Sequence, residues 1–256
     1  MNIIQSFILG IVEGITEFLP VSSTGHLILA SALLGIAQSE FVKTFEIIIQ
    51  LGAIAAVVVI YWRSFLNIEI LKKVIAAFIP TGIIGLALYK IVKTYLLGNE
   101  MVVLWALLLG GVALVVFEYF HQEKDNAVSD ITDISYKQAV YIGLFQALSI
   151  VPGTSRSAAT IVGGLMLNLK RSTIVQFSFL LAVPTMLAAS GLDLIKTSAT
   201  FTLGEVLMLL VGFVVAFVVA LFSIKFLLEY VRTHNFVPFG IYRIVVSLIF
   251  FWFVIK

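Results

Sequence analysis

The sequence predicts an all-α integral membrane protein: six transmembrane helices plus two opposed re-entrant helix–loop–helix hairpins in an inverted-topology repeat. Three observations predict it. The 256-residue chain is 61% hydrophobic and 12% charged, with a mean hydropathy of +1.13, whereas soluble domains carry about 25% charged residues. Long charge-free runs recur along it, and two polar breaks, each holding a proline, interrupt apolar stretches at a matched spacing. Too little charge remains for a water-facing surface, so a soluble domain is excluded. Zero cysteines exclude disulfides, thiolate nucleophiles and cysteine metal sites. A formal charge of +2 gives no electrostatic footprint for nucleic acid. The first charged residue is Glu13, so the basic start of a cleavable signal is not expected.

The elements follow in order. The stretch 8–34 carries Glu13, Glu17, Pro20, Ser22-Ser23-Thr24 and His26 at its centre. Its apolar arms are too short for the ~20 residues of a spanning helix. Irregular backbone at membrane depth is tolerated only where protein or a wet cavity covers it, so this segment reads as a re-entrant hairpin. Runs 47–62, 74–89 and 101–117 read as spans, completed by apolar stems and snorkelling Lys or Arg. Residues 121–138 are too polar for lipid and form a linker. The stretch 139–167, with Gln146, Pro152, Gly153 and Arg156, is the second hairpin, and runs 172–192, 206–224 and 244–255 are the last spans. The expected organisation is one membrane domain over 1–256, with repeat one about 1–120, the linker about 121–138 and repeat two about 139–256.

Internal similarity supports the repeat. Pro20 of "PVSSTGH" and Pro152 of "PGTSRSA" are 132 positions apart (152 − 20), as are Phe45 and Phe177 (177 − 45). Gly10-x-x-Glu13 matches Gly143-x-x-Gln146 one gap away, and "IPTGI" at Ile79 echoes "VPFGI" at Val237. Three spans per half is odd, so the second half enters from the opposite face, as in many transport folds whose sites form where broken helices meet. On that count Arg63, Lys72, Lys73, Lys124, Lys137, Lys170, Arg171, Lys225 and Arg232 share one face. Lys43, Lys90, Lys93, Lys196 and Lys256 share the other. The positive-inside rule places the richer face in the cytoplasm.

Glu13 and Glu17, spaced i, i+4, project from one helix face, and intramembrane carboxylates without an adjacent lysine call for a divalent cation or shared protons. Hard oxygen ligands of this kind suit Mg²⁺ or Ca²⁺. Ser22, Ser23 and Thr24 precede an apolar run as N-caps do, but three hydroxyls plus His26 exceed what capping needs, and a helix start offers N–H groups to an anion. Arg156 supplies a planar fork of donors suited to phosphate. Gly153 allows close backbone approach, with Thr154, Ser155, Ser157 and Thr160 beside it. The alternative for Arg156 is an ion pair with Glu13 or Glu17. Gln50 and Gln146 either line the site or satisfy backbone; Arg243 is either a second phosphate ligand or a snorkelling end residue. Gly10-x-x-x-Gly14 reads as close helix packing. This toolkit serves phosphate-ester or anhydride hydrolysis, and an anion transporter or polyprenyl-phosphate flippase would use much of it. Spacing leaves both open.

"EGITEFLPVSSTGH", "PGTSRSAAT" and "FEIIIQLGAI" resemble the bacterial undecaprenyl-diphosphate phosphatase family associated with bacitracin resistance. The resemblance runs from Gly10 to near the C-terminus. It implies removal of the terminal phosphate of a C55 polyprenyl diphosphate, returning the monophosphate carrier lipid to peptidoglycan synthesis. It further implies a core site of Glu13, Glu17, Ser23, His26 and Arg156, a required divalent metal on Glu13 and Glu17, and a bacterial plasma membrane location with the site opening outward. The expected partners are the lipid substrate and the bilayer, with a homodimer left open. For the attack on phosphorus the expectation is Ser23 as nucleophile with His26 as its acid–base partner, three residues along the helix. His26 and a metal-bound water are the competing nucleophiles.

Overall fold

The computed structural model describes residues 1–96, 99–196 and 201–255. It is all-helical among them: α1 Ile3–Thr16, α2 Ser23–Leu33, α3 Glu40–Ile60, α4 Trp62–Leu66, α5 Ile68–Ile91, α6 Glu100–Phe120, α7 Tyr136–Gln146, α8 Arg156–Met166, α9 Arg171–Lys196, α10 Leu203–Tyr230 and α11 Val237–Ile255. Polar caps set the helix starts. Asn2 and Ser135 close capping boxes with Gln5 and Gln138 on α1 and α7, and Thr202 does so with Glu205 on α10. Ser39, Asn67 and Asn99 cap α3, α5 and α6.

Among the described residues, five helices (α3, α5, α6, α9, α10) are long and apolar enough to cross a bilayer, so the chain is a multi-pass membrane protein. Residues 237–252 of α11 form a shorter apolar helix, as do α1 and α2. Every expected span falls on a helix, though the helices start earlier, through charged residues such as Glu40 and Glu100, because caps rather than charges mark their ends. Pro80 and Pro184 lie inside α5 and α9, and each removes one backbone hydrogen bond from its helix.

Packing is reciprocal between the halves. α1 packs along α10 and α7 along α5, while α3 meets α9 and α6 meets α11. Glycines make the first two contacts close. A Cβ on Gly10 would stand 2.8 Å from the Gly212 carbonyl oxygen, one on Gly14 2.8 Å from that of Ala216, and one on Gly143 would collide with the Ala77 carbonyl. Gly10 and Gly143 are the repeat-matched pair. The "IPTGI" and "VPFGI" echo is not such a match, since Pro80 sits mid-helix in α5 and Pro238 in the first turn of α11.

The largest buried cluster runs through α3, α5, α7, α8, α9 and α10, where Phe177, Phe179, Ala53, Val57 and Ile142 are fully enclosed. Two expected boundary cations are instead structural. Buried Lys73 donates to the Thr132 carbonyl, and Arg171 reaches Glu118 at 2.6 Å and Glu123 at 3.5 Å. Their positions report packing of the linker. Lys256 lies outside the described residues.

If the α5–α7 approach depends on the missing side chain, Gly143→Ala overpacks it and costs about 1–3 kcal/mol. This is read as a lower Tm of the detergent-solubilised protein. Gly204→Ala, where a Cβ meets nothing within 4 Å, leaves Tm unchanged or slightly higher.

Candidate functional site

Both polar breaks end in the same local device. Ser22, before α2, has φ +73°, and Ser155, before α8, has φ +70°. Serine is strained in that region. Each hydroxyl caps its helix: Ser22 Oγ accepts from the Gly25 N–H at 3.5 Å and Ser155 Oγ from the Ala158 N–H at 3.2 Å. The remaining first-turn N–H groups of α2 and α8 have no intrahelical partner, and the positive ends of both helix dipoles lie there.

One carboxylate joins the two helix starts. Glu17, at the C-terminal end of α1, accepts from Ser23 Oγ at 2.6 Å through Oε2 and from Arg156 Nη2 at 3.0 Å through Oε1. Ser23 and Arg156 are the first residues of α2 and α8, so the tips of both hairpins meet at Glu17. Arg156 is held further by Nη1, which donates to the Ser178 carbonyl at 3.0 Å, and by the face of Phe18, 6.0 Å from its guanidinium carbon. Thr160 Oγ1 lies 2.6 Å from Ser178 Oγ and donates back to carbonyls of its own helix. Glu17, Ser23 and Ser155 are buried and the Arg156 side chain is nearly so. The pair is therefore largely desolvated, and removing either partner leaves a costly uncompensated charge.

Glu13 lies one turn back on α1 and is 0% exposed, and neither of its carboxylate oxygens meets a donor. Its electrostatic neighbours are Glu17, Glu46 of α3 and Arg156. Three acids facing one guanidinium leave excess negative charge that burial penalises unless protons or a cation balance it. Among the described residues no three His, Cys, Asp or Glu side chains converge as an all-protein metal cage. Mg²⁺ does not require one. It is commonly held by one or two carboxylates together with substrate phosphates and water, and an orphaned Glu13 beside Glu17 fits that donor set.

The other expected residues separate. His26 makes no hydrogen bond to Ser23. Its Nδ1 lies 2.8 Å from the Ser22 carbonyl oxygen and its Nε2 2.8 Å from the Tyr242 hydroxyl. Three residues along a helix put His26 on roughly the same side as Ser23, with its ring nitrogens engaged by the Ser22 carbonyl and by Tyr242 of α11. In this geometry the side chain in contact with Ser23 is Glu17 and not His26. Thr24 is exposed, and Ser157 is buried with Oγ 3.5 Å from Ser155 Oγ. Gln50 lies on α3 one turn beyond Glu46. Gln146 donates to Thr81 and Thr185 at 3.0 Å each, away from the Glu17 cluster.

Arg243 is enclosed in the fold rather than snorkelling at a helix end. It is 0% exposed, and its donors all end on backbone carbonyls. Nη1 reaches Pro20 at 3.3 Å and Thr154 at 3.2 Å, Nη2 reaches Gly153 and Ala106 at 3.1 Å, and Nε reaches Leu107 at 3.4 Å. The carbonyls of Gly153, at φ +93°, and Thr154 are thus tied to Arg243 at the hairpin tip. Glu46, Ser178 and Tyr242 were missed from sequence. Glu46 and Ser178 follow the repeat-matched Phe45 and Phe177, which was the available signal; Tyr242 had none beyond its place beside Arg243.

The profile of the family described as Bacitracin resistance protein BacA matches residues 6–249. The chain is 52% identical to the undecaprenyl-diphosphatase of Sulfurihydrogenibium sp. (strain YO3AOP1), over 98% of this chain and 99% of that protein. It is 52% identical to the undecaprenyl-diphosphatase of Wolinella succinogenes, over 99% of this chain and 98% of that protein. The protein of that name from Methanococcus aeolicus is 49% identical over the full length of both chains.

Arg243→Met removes every donor to the two tips and strands buried carbonyls, costing on the order of 3 kcal/mol. Arg243→Lys, with three donors on a flexible stem, recovers part of it. Thermal unfolding in detergent should rank wild type above Arg243→Lys above Arg243→Met.

Proposed function

The chain belongs to the bacitracin resistance protein family, and on that premise we propose that it hydrolyses undecaprenyl diphosphate to undecaprenyl phosphate and inorganic phosphate where Glu17, Ser23 and Arg156 meet. The observation that carries the assignment to this place is the Ser23–Glu17–Arg156 chain across two helix N-termini. It combines a nucleophile, a base in contact with it, and a guanidinium suited to phosphate.

The terminal phosphate binds by taking Arg156 from Glu17 and accepting from the free N–H groups of α2 and α8. Ser23 Oγ then bonds to the terminal phosphorus as the bridging P–O bond breaks, undecaprenyl phosphate leaves, and the serine proton passes to Glu17. Arg156 and the helix starts stabilise the equatorial oxygens of a loose transition state. In the second step water attacks phosphorus and gives up a proton, the Oγ–P bond breaks, Glu17 returns its proton to Ser23 Oγ, and inorganic phosphate leaves. His26, on the same helix as Ser23, serves as the base for that water. A divalent cation, Mg²⁺ or Ca²⁺, would be held by Glu13 and Glu17, where it supplies neutralisation of phosphate charge.

The proposed setting is one membrane domain in the bacterial plasma membrane, with the site opening to the outer face. We assign six spans (α3, α5, α6, α9, α10, α11) and two re-entrant hairpins (α1–α2 and α7–α8) in an inverted repeat. The reciprocal packing, the matched glycines and the paired strained serines support this arrangement.

Purified protein in detergent should release phosphate from undecaprenyl diphosphate with Mg²⁺ or Ca²⁺ and lose that activity in chelator; a flippase or transporter would release none. Ser23→Ala should lower turnover by at least ~10²-fold, while Ser22→Ala is milder. If Ser23→Ala retains most activity and His26→Ala is dead, the nucleophile is His26.

For topology, single cysteines at Ala37 and Lys170 should react with membrane-impermeant reagent from opposite sides of sealed vesicles. Labelling from the same side would exclude the inverted arrangement.

A further inference from the structure

We propose that Tyr242 is a positioning residue for this reaction, acting through His26: its hydroxyl fixes the tautomer and orientation of the imidazole. The proposal rests on the reading of the Glu17 cluster as a phosphatase site. Three contacts hold the ring. Nδ1 faces the Ser22 carbonyl oxygen at 2.8 Å, an acceptor only, so Nδ1 carries the proton. Nε2 is then the lone-pair nitrogen, and the Tyr242 O–H donates to it at 2.8 Å. The two rings lie nearly parallel, 7° between planes with centroids 5.5 Å apart, so the tyrosine also fixes the plane of the imidazole.

The arrangement crosses the fold. His26 stands on α2, one turn beyond Ser23, and Tyr242 stands on α11 beside Arg243, whose bonds clamp both hairpin tips. The same helix that holds the tips in register therefore also sets the histidine. Without the phenol, only the Ser22 carbonyl restrains the ring, and the lone pair is no longer held in one place. Tyr242 is 45% exposed, which is more than core packing requires and leaves its hydroxyl free to yield Nε2. In the resting site that hydroxyl fills the place on Nε2 that the hydrolytic water takes in the second step. A phenol is suited to this because it donates to a neutral imidazole and adds no charge of its own.

The test is a double-mutant cycle on full-length protein with undecaprenyl diphosphate, together with ¹⁵N NMR of histidine-labelled protein. Tyr242→Phe should lower kcat about tenfold, the scale of one lost hydrogen bond, with KM changed less than about twofold and Tm preserved. In a His26→Ala background the same change should lower turnover less than about twofold further, because coupled residues are not additive. The wild-type spectrum should show His26 protonated at Nδ1 with Nε2 as a hydrogen-bond acceptor, and Tyr242→Phe should move the Nε2 resonance. An equal drop in the His26→Ala background, or an unmoved Nε2 resonance, overturns the proposal and assigns Tyr242 to packing or direct substrate contact. The resonance is read without turnover, so an inactive wild type would remove the phosphatase reading while leaving the coupling measured.

Discussion

A broken helix inside an apolar protein leaves backbone carbonyls that neither lipid nor a ladder can satisfy, and the rest of this structure depends on how that is solved. Arg243 solves it for both breaks at once. A single fully buried guanidinium from α11 donates to the Pro20 carbonyl in the first hairpin and the Gly153 and Thr154 carbonyls in the second. Its other bonds go to α6, so the tips are fixed to a spanning helix rather than only to each other. The planar fork matters because the acceptors diverge, and a point charge on a flexible stem cannot meet them together. Gly110 provides the room, since a side chain there would occupy the position of the guanidinium.

With the tips fixed, the Glu17 carboxylate sits where two positive helix ends converge. It is the anion of the resting site. Ser23 and Arg156 are both bonded to it, so a hydroxyl and a guanidinium of a kind suited to phosphate are held together by one carboxylate. Two serines in left-handed conformation maintain this geometry, each at a cost of about 1–3 kcal/mol that the caps and the Arg243 clamp offset.

The two halves of the sequence carry unlike chemistry at matched positions. Glu13 in the first half matches Gln146 in the second, Ser23 matches Arg156, and Glu46 matches Ser178, at offsets of 132 or 133 positions. The acids and Ser23 come from the first half, and the neutral donors with Arg156 from the second. The Gln146 amide nitrogen donates to Thr81 and Thr185, while its Oε1, which carries no charge, meets no donor, like both Glu13 oxygens. Excess negative charge is thus confined to one half, beside the place where phosphate and a divalent cation would bring opposite charge together.

Composition and periodicity by themselves determined that this chain enters a membrane and where its apolar helices run, because hydrophobic length is a local property of the residues. Polar residues with proline in apolar surroundings likewise marked both breaks, and the paired carboxylates, Ser23 and Arg156 were legible from type and spacing. Which of them touch was not. Ser23 and His26 are near in sequence, yet Ser23 bonds Glu17 and His26 bonds Tyr242, 216 positions away. Arg243 read as a ligand or a snorkelling end because its five backbone partners come from distant segments. Hydrogen bonds to carbonyls leave no sequence signal, since every residue carries one. Only the tertiary fold decided which carbonyls the breaks exposed and which side chain reached them.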